Sequence, residues 1–355
     1  MLTVALFFIA PTGQLPAQAR SEPKTPSKPT PEQQRLAAKL VSRFRAARKD
    51  PQQRAQVVEA AVEGGPACVS ALYMAIAREM HPQISRYSMK FYQQAAAAAK
   101  KKIGSVRLEE VAKLRQTVLG LQNRPDFTKE TIVKFGDPAL KQLEEIFVVD
   151  RAQVLEESES LKTERRQLQE PGKLWERCAV YLYEQLPNDE NKPKEPPSFE
   201  QYLRGEEALA AGLAAPMDRQ TAQIIAANAR LAQQLEPEEG RAVLALNLTR
   251  NLLGLNALAI DLKLCAAARD HSNDMQTLKF FAHESPVPGK ATPWDRAKRF
   301  GASAAGENIC LGVRDGKAVN MVWFHSPGHH KNMLAKHARV GMGQVGAYFT
   351  ELFGH

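Results

Sequence analysis

Trp323 to Leu334 reads WFHSPGHHKNML, and this stretch decides how the C-terminal third of the chain folds. Just before it, Val319 to Phe324 is apolar enough to form a buried helical turn. Ser326 is a good N-cap, and Pro327 occupies the first helical position, where its missing N–H costs nothing, so a second helix starts there. His329 then falls at the third helical position, near the positive end of the helix dipole, where neutral imidazole is favoured. Neutral imidazole is the form that binds a metal or accepts a proton. His330 points about a quarter turn away and is expected to be solvated.

Working upstream, Asp261 to Phe281 (DLKLCAAARDHSNDMQTLKFF) places Leu264, Ala268, His271, Met275 and Leu278 on one helical face. His271 on that face is expected to be a packed core histidine. In Phe280 to Pro286 (FFAHESP), His283 falls in the turn after the helix, where a side chain can be presented to a cleft. Thr292-Pro293-Trp294-Asp295 has the cap, proline and acid of another helix start. Gly306 to Gly312 (GENICLG) reads as a short strand bracketed by glycines, with Glu307 at its entrance. Downstream, Val340 to Phe353 alternates like a terminal β-hairpin. Gly341, Gly343 and Gly346 satisfy G-x-G-x-x-G, but a dinucleotide site needs a following helix and a complete βαβ unit, and too little chain remains. These glycines instead suit close packing and bends. Asn247-Leu248-Thr249 matches a glycosylation sequon but lies on an expected helix.

FFAHESP, GENI, WFHSPGHHKNML and the closing VGMGQVGAYFTELFG occur in one order, preceded by NLTRNLLGLN and AARDHSNDM. Together, from about Glu239 to Gly354, they resemble the CAP superfamily, or SCP domain, of cysteine-rich secretory, antigen 5 and pathogenesis-related proteins, in its bacterial SPGH form. The resemblance implies an α/β/α sandwich with a small antiparallel sheet and a shallow cleft holding two histidines and two glutamates. His283, Glu307 and His329 match three of these; the remaining acidic place is occupied by Pro327. Two imidazoles and a carboxylate suit zinc or a similar divalent ion, with water in an open position. In a hydrolase, His283 and His329 would be ligands and Glu307 the base or third ligand. The same trio can be a hydrogen-bonded knot that joins helix to strand. Family members have been proposed as proteases, yet fold does not carry function, so a binding or structural module is favoured over an enzyme. Ser285 and Ser326 sit in no nucleophile-elbow sequence. Lipid binding, attributed to some eukaryotic relatives, finds no support in the residues.

The rest of the chain reads as an all-α region before this α+β domain. Leu2 to Ala10 is a short apolar run followed by Ala17-Gln18-Ala19, which predicts a signal peptide over 1–19, export to the envelope or medium, and no transmembrane anchor in the mature chain. Residues 20–34, rich in Pro, Ser and Lys, should form a tether. A helical bundle over 35–185, a Pro-rich linker over 186–198 and a helical connector over 199–237 lead to the domain at 238–355. Asp137 and Pro138 are expected to open one long helix with Leu140, Phe147, Val154, Leu161 and Leu168 along a stripe. This region is read as a scaffold or interaction module, with an envelope or extracellular protein, or a small ligand, as partner. Hydrophobic residues at 44% and charged residues at 25% fit a folded globular protein and exclude collagen-like or multi-span chains. The net charge is +9, yet aromatics at 7% do not interleave with Lys and Arg, which excludes a stacking platform for nucleic acid. Cys68, Cys178, Cys265 and Cys310 form no C-x-x-C pair. Two disulfides within regions, Cys68 with Cys178 and Cys265 with Cys310, or four buried free thiols, both account for them.

Overall fold

The computed structural model describes residues 29–103, 108–185 and 196–355. The expected signal peptide, most of the tether and most of the Pro-rich linker lie outside the described residues. In chain order the helices are α1 (Pro31–Ala46), α2 (Pro51–Glu63), α3 (Pro66–Ile103), α4 (Leu108–Leu119), α5 (Lys129–Thr131), α6 (Asp137–Phe147), α7 (Arg151–Glu156), α8 (Glu159–Glu184), α9 (Phe199–Leu213), α10 (Arg219–Leu231) and α11 (Pro237–Leu252). There follow β1 (Ala259–Ile260), α12 (Leu262–Leu278), α13 (Pro293–Arg299), β2 (Gly306–Leu311), α14 (Gly316–Phe324), α15 (Pro327–Leu334), β3 (Arg339–Val345) and β4 (Tyr348–Gly354).

Two expectations for the helical part are corrected. α1 begins inside the stretch read as a tether, because Thr30 and Gln33 close a capping box: the Gln33 N–H donates to Thr30 Oγ1 at 3.2 Å and the Thr30 N–H to Gln33 Oε1 at 2.9 Å. The single long helix from Asp137 is three helices. Val148 turns to extended backbone (φ −97°, ψ 134°), and Ser158 caps α8 by accepting from the Leu161 N–H at 3.4 Å. Of the expected stripe, Leu140, Val154, Leu161 and Leu168 are buried and Phe147 is half-buried, but they lie on three separate helices.

The described chain forms two compact units, one from residues up to Phe91 with Ala152–Ala208, the other from Tyr92–Arg151 with Leu209–His355. The first is wholly helical around Phe44, Leu72, Ile76, Phe91 and Leu161. In it Trp175 meets Tyr73, Tyr202 and Phe199, with ring centroids 5.5, 6.0 and 6.2 Å away. Gly172 permits this contact, as a Cβ there would lie 2.1 Å from the Phe199 ring.

The second unit contains the sheet, in the order β1-β3-β4-β2. β3, β4 and β2 are antiparallel as expected, and the two-residue β1 adds parallel to β3, making the sheet mixed. Val340 pairs with Phe353 and Met342 with Glu351, so these side chains share one face; Gly341 with Leu352 and Gly343 with Thr350 share the other. On the glycine face α12 lies directly on the backbone: a Cβ on Gly341 would come within 2.2 Å of Leu264 and one on Gly343 within 2.0 Å of Arg269. The G-x-G spacing therefore serves helix-on-sheet contact, as the hairpin reading required. Leu352 packs there with Leu264, Ala267, Ala268 and Ala297. On the opposite face Val340, Met342, Phe349 and Phe353 join Trp323, Phe324 and Met333. That core also takes Val118, Leu121, Ile132, Leu140 and Leu143 from the segment that includes α4 and α6.

Asn228 of α10 supplies the Ile260 N–H with an acceptor and the Leu258 carbonyl with a donor, both at 2.8 Å, closing the free edge of β1. Asn247, the sequon asparagine, is buried and bonded to Leu258 N and O at 2.8 and 3.0 Å. All four cysteines are free and buried, so the disulfide alternative gives way to the free-thiol one. Burial raises the Cys178 and Cys265 thiols to about 12, and Cys265 and Cys310 belong to the apolar core.

Candidate functional site

His283 follows α12, which ends on Lys279 in the left-handed conformation (φ 60°, ψ 44°). The loop carrying it is tied back to α12 at two points. His271, buried as expected, bonds the Ala282 carbonyl through Nε2 at 3.0 Å, and Lys290 Nζ donates to Asp270 and Asp274 at 2.9 Å each. The His283 side chain is 52% exposed, while the Glu307 side chain beside it is 1% exposed. His283 Nδ1 lies 2.9 Å from Glu307 Oε1. A carboxylate oxygen only accepts, so Nδ1 carries the hydrogen and, in the neutral ring, Nε2 keeps its lone pair.

The other oxygen of Glu307 is also engaged. Arg296, fully buried on α13, donates from Nη2 to Oε2 at 2.6 Å and from Nη1 to the Lys290 and Ala291 carbonyls at 3.0 and 3.3 Å. The expected capping box of Thr292 and Asp295 starts this helix. Arg296 escaped the reading of the sequence. Its signal was its place: with Pro293 and Ala297 it forms the buried side of a short helix, where a charge must meet a partner such as the carboxylate of the following strand.

His329 lies at the third position of α15, with Pro327 at the start and Ser326 at the N-cap, although the serine side chain makes no capping bond. The ring centroid is 6.5 Å from that of Trp323. Its Nδ1 is buried without a hydrogen-bond partner. Burial, then the charge of His283, lowers its pKa, so the neutral ring is favoured and the two imidazoles feel each other electrostatically. α15 is fixed to β2 by Asn332, whose Nδ2 donates to Glu307 O and Asn308 Oδ1 at 3.0 Å each. His330, expected to be solvated, is instead buried; its Nδ1 bonds the Phe324 carbonyl at 2.7 Å and its ring packs on Phe324 at 4.6 Å. The helix is short and covered on its outer side, so the quarter turn points into a core rather than into water.

On the face of β2 and β4 opposite to Glu307 lies a further acid that the sequence did not single out. Glu351 is wholly buried; Asn308 Nδ2 donates to its Oε2 at 2.8 Å, and Oε1 has no partner. Burial pushes its carboxyl up to about 8.

His283 and Glu307 are thus in direct contact, and His329 lies near enough to His283 for a charge there to act on it. For a metal, the donor set is limited. Among the described residues no three of His, Cys, Asp and Glu stand together as ligands, and Glu307 is already bonded through both oxygens. What the site presents is two imidazoles, one of them, His283, oriented by the buried Glu307 carboxylate.

The model of the CAP family, described as the cysteine-rich secretory protein family, matches residues 243–348. Uncharacterized protein YkwD of Bacillus subtilis (strain 168) is 38% identical over 32% of this chain and 46% of its own length. Uncharacterized membrane protein YlbC of the same strain is 32% identical over 30% of this chain and 31% of its own. The chain therefore spans less than half the length of either curated relative. A solved structure of an extracellular protein containing a SCP domain, from Bacillus anthracis str. Ames, is 31% identical, covering 33% of this chain and 39% of that one with a TM-score of 0.31. The C-terminal part of the chain, residues 243–348, thus carries a domain that the CAP, or cysteine-rich secretory protein, family model matches.

Proposed function

We propose that the CAP domain is a binding module whose cleft takes a divalent metal ion, or a small polar ligand, between His283 and His329. The observation that carries this is the pairing of two donors: an exposed imidazole held by its Nδ1 to buried Glu307, and a neutral-favoured imidazole with a buried, unpartnered nitrogen. Glu307 orients His283 rather than binding the ion. A metal held there would supply Lewis acidity, with water or ligand oxygens completing its shell. Binding should be weaker than at a three-ligand zinc site. Support for export comes from the sequence of residues 1–19 alone, and the chain is read as an envelope or extracellular protein on that ground.

The buried Arg296–Glu307 pair favours a second reading, in which the trio is a structural knot. One titration separates the two. Zinc is added to the chain and to a His283→Ala, His329→Ala double variant of native circular dichroism. One equivalent bound by the parent and lost in the variant supports the metal cleft; identical isotherms leave the knot.

A further inference from the structure

His329 sits on a helix whose outer side is covered by residues from much earlier in the chain. Asp137 meets His325, just before α15: Nε2 lies 2.9 and 3.0 Å from the two carboxylate oxygens. Phe127 meets His330, the neighbour of His329, edge-on with centroids 5.6 Å apart, and Lys331 Nζ lies 5.5 Å from the centre of the Phe127 ring. Between these contacts the chain makes a π-helical turn, Ile132–Gly136, which delivers Asp137 as the first residue of α6 instead of leaving it to cap the helix. Gly136 lies against Leu121 and Phe324, where an added Cβ would come to 3.1 and 3.9 Å. Val118, Leu121, Ile132, Leu140 and Leu143 share one core with Phe324, just before α15, and Met333, within it.

We infer that the segment from Leu108 to Phe147 positions the cleft, with Asp137 and Phe127 acting as positioning residues for His329. The inner side of α15 is pinned to β2 by Asn332. Its outer side and its entry are pinned by Phe127 through His330 and by Asp137 through His325. A helix of eight residues has little rigidity of its own, so these external contacts set the rotation that aims His329. Part of the helical region is therefore a component of the site and not only a spacer. The inference rests on the reading of His283 and His329 as a binding pair.

The test uses the full chain with Asp137→Asn, Asp137→Glu and Phe127→Ala, each checked for native thermal unfolding. Two readouts are taken: histidine imidazole signals by nuclear magnetic resonance on metal-free protein at one fixed pH, and zinc affinity. Asp137→Asn and Phe127→Ala are expected to shift the His329 signals, leave those of His271 in place, and weaken zinc binding about 10-fold, the low end of the loss seen when a metal-binding imidazole is no longer held in its orientation. Asp137→Glu should keep both near the parent. The idea is overturned if His325 and His330 respond while His329 and zinc affinity stay unchanged. Should the parent bind no zinc, the binding-pair reading falls, and the His329 signals alone decide whether the segment positions that ring. Should Phe127→Ala not fold, the partly exposed Asp137→Asn decides.

Discussion

Arg296 and Glu307 form a charged pair with 0% and 1% of their side chains exposed, a setting in which each ion depends on the other. Arg296→Met should destabilise the unit by about 3–5 kcal/mol, because it leaves a buried carboxylate facing apolar atoms, whereas an Arg296→Met, Glu307→Leu double variant should recover much of that loss. Urea unfolding of the three proteins checks it; a double variant as weak as the single one would mean that packing, not charge, dominates. Glu351 poses the opposite case, a carboxyl raised to about 8 from 4.5 by burial. Between those two values the folded state holds a proton that the unfolded state has released, so stability falls as pH rises, by up to about 1.4 kcal/mol per unit. Glu351→Gln keeps the acceptor for Asn308 and removes the titration. It should be close to neutral in stability near the acid end of that window and clearly stabilising at its alkaline end, as thermal melts at both would show.

At the scale of elements, the contact of α12 with β3 has no side chains between the two backbones at Gly341 and Gly343. Gly343→Ala should separate them and cost at least about 1–3 kcal/mol, measured by chemical denaturation; a neutral effect would mean that α12 shifts freely. This contact also shows what the sequence could reveal. Glycine spacing, the alternation from Val340 and the caps at Thr292 and Ser326 are local signals, and each falls on the element it foretold. The contact of His283 with Glu307 was legible, because the motifs that carry the two residues are local too. Arg296 and Glu351 were not, since their meaning lies in partners on other strands and helices. The stripe from Leu140 to Leu168 shows the same limit: its period reports buried positions but is blind to the breaks at Val148 and Ser158. His330 was misjudged for the same reason. Its burial is made by Phe127, a residue some two hundred positions away in the chain.

For the molecule as a whole, the titrating groups of the second unit oppose each other. Burial lowers His271, His329 and His330 from 6.5, and His337, stacked on Phe353 at 4.6 Å, falls to about 4. Below pH 6.5 the unfolded chain takes up protons that these rings refuse in the fold, a contribution that rises with pH and opposes the loss from Glu351; above pH 6.5 it fades and the loss from Glu351 remains. A thermal-unfolding series should therefore decline between about pH 7 and about pH 8, and a stability that still rises there would contradict the neutral burial of Glu351. The interleaving of the two units has a consequence for how the chain is made. Tyr92–Arg151 leaves the ribosome with Val118, Leu121, Ile132 and Leu140 uncovered, and must wait while Ala152–Ala208 is synthesised before the residues that cover them emerge. Neither unit can close on a contiguous stretch of nascent chain. Such delayed, long-range closure slows folding and leaves apolar surface open to chaperones and to neighbouring nascent chains until the last β-hairpin has been released.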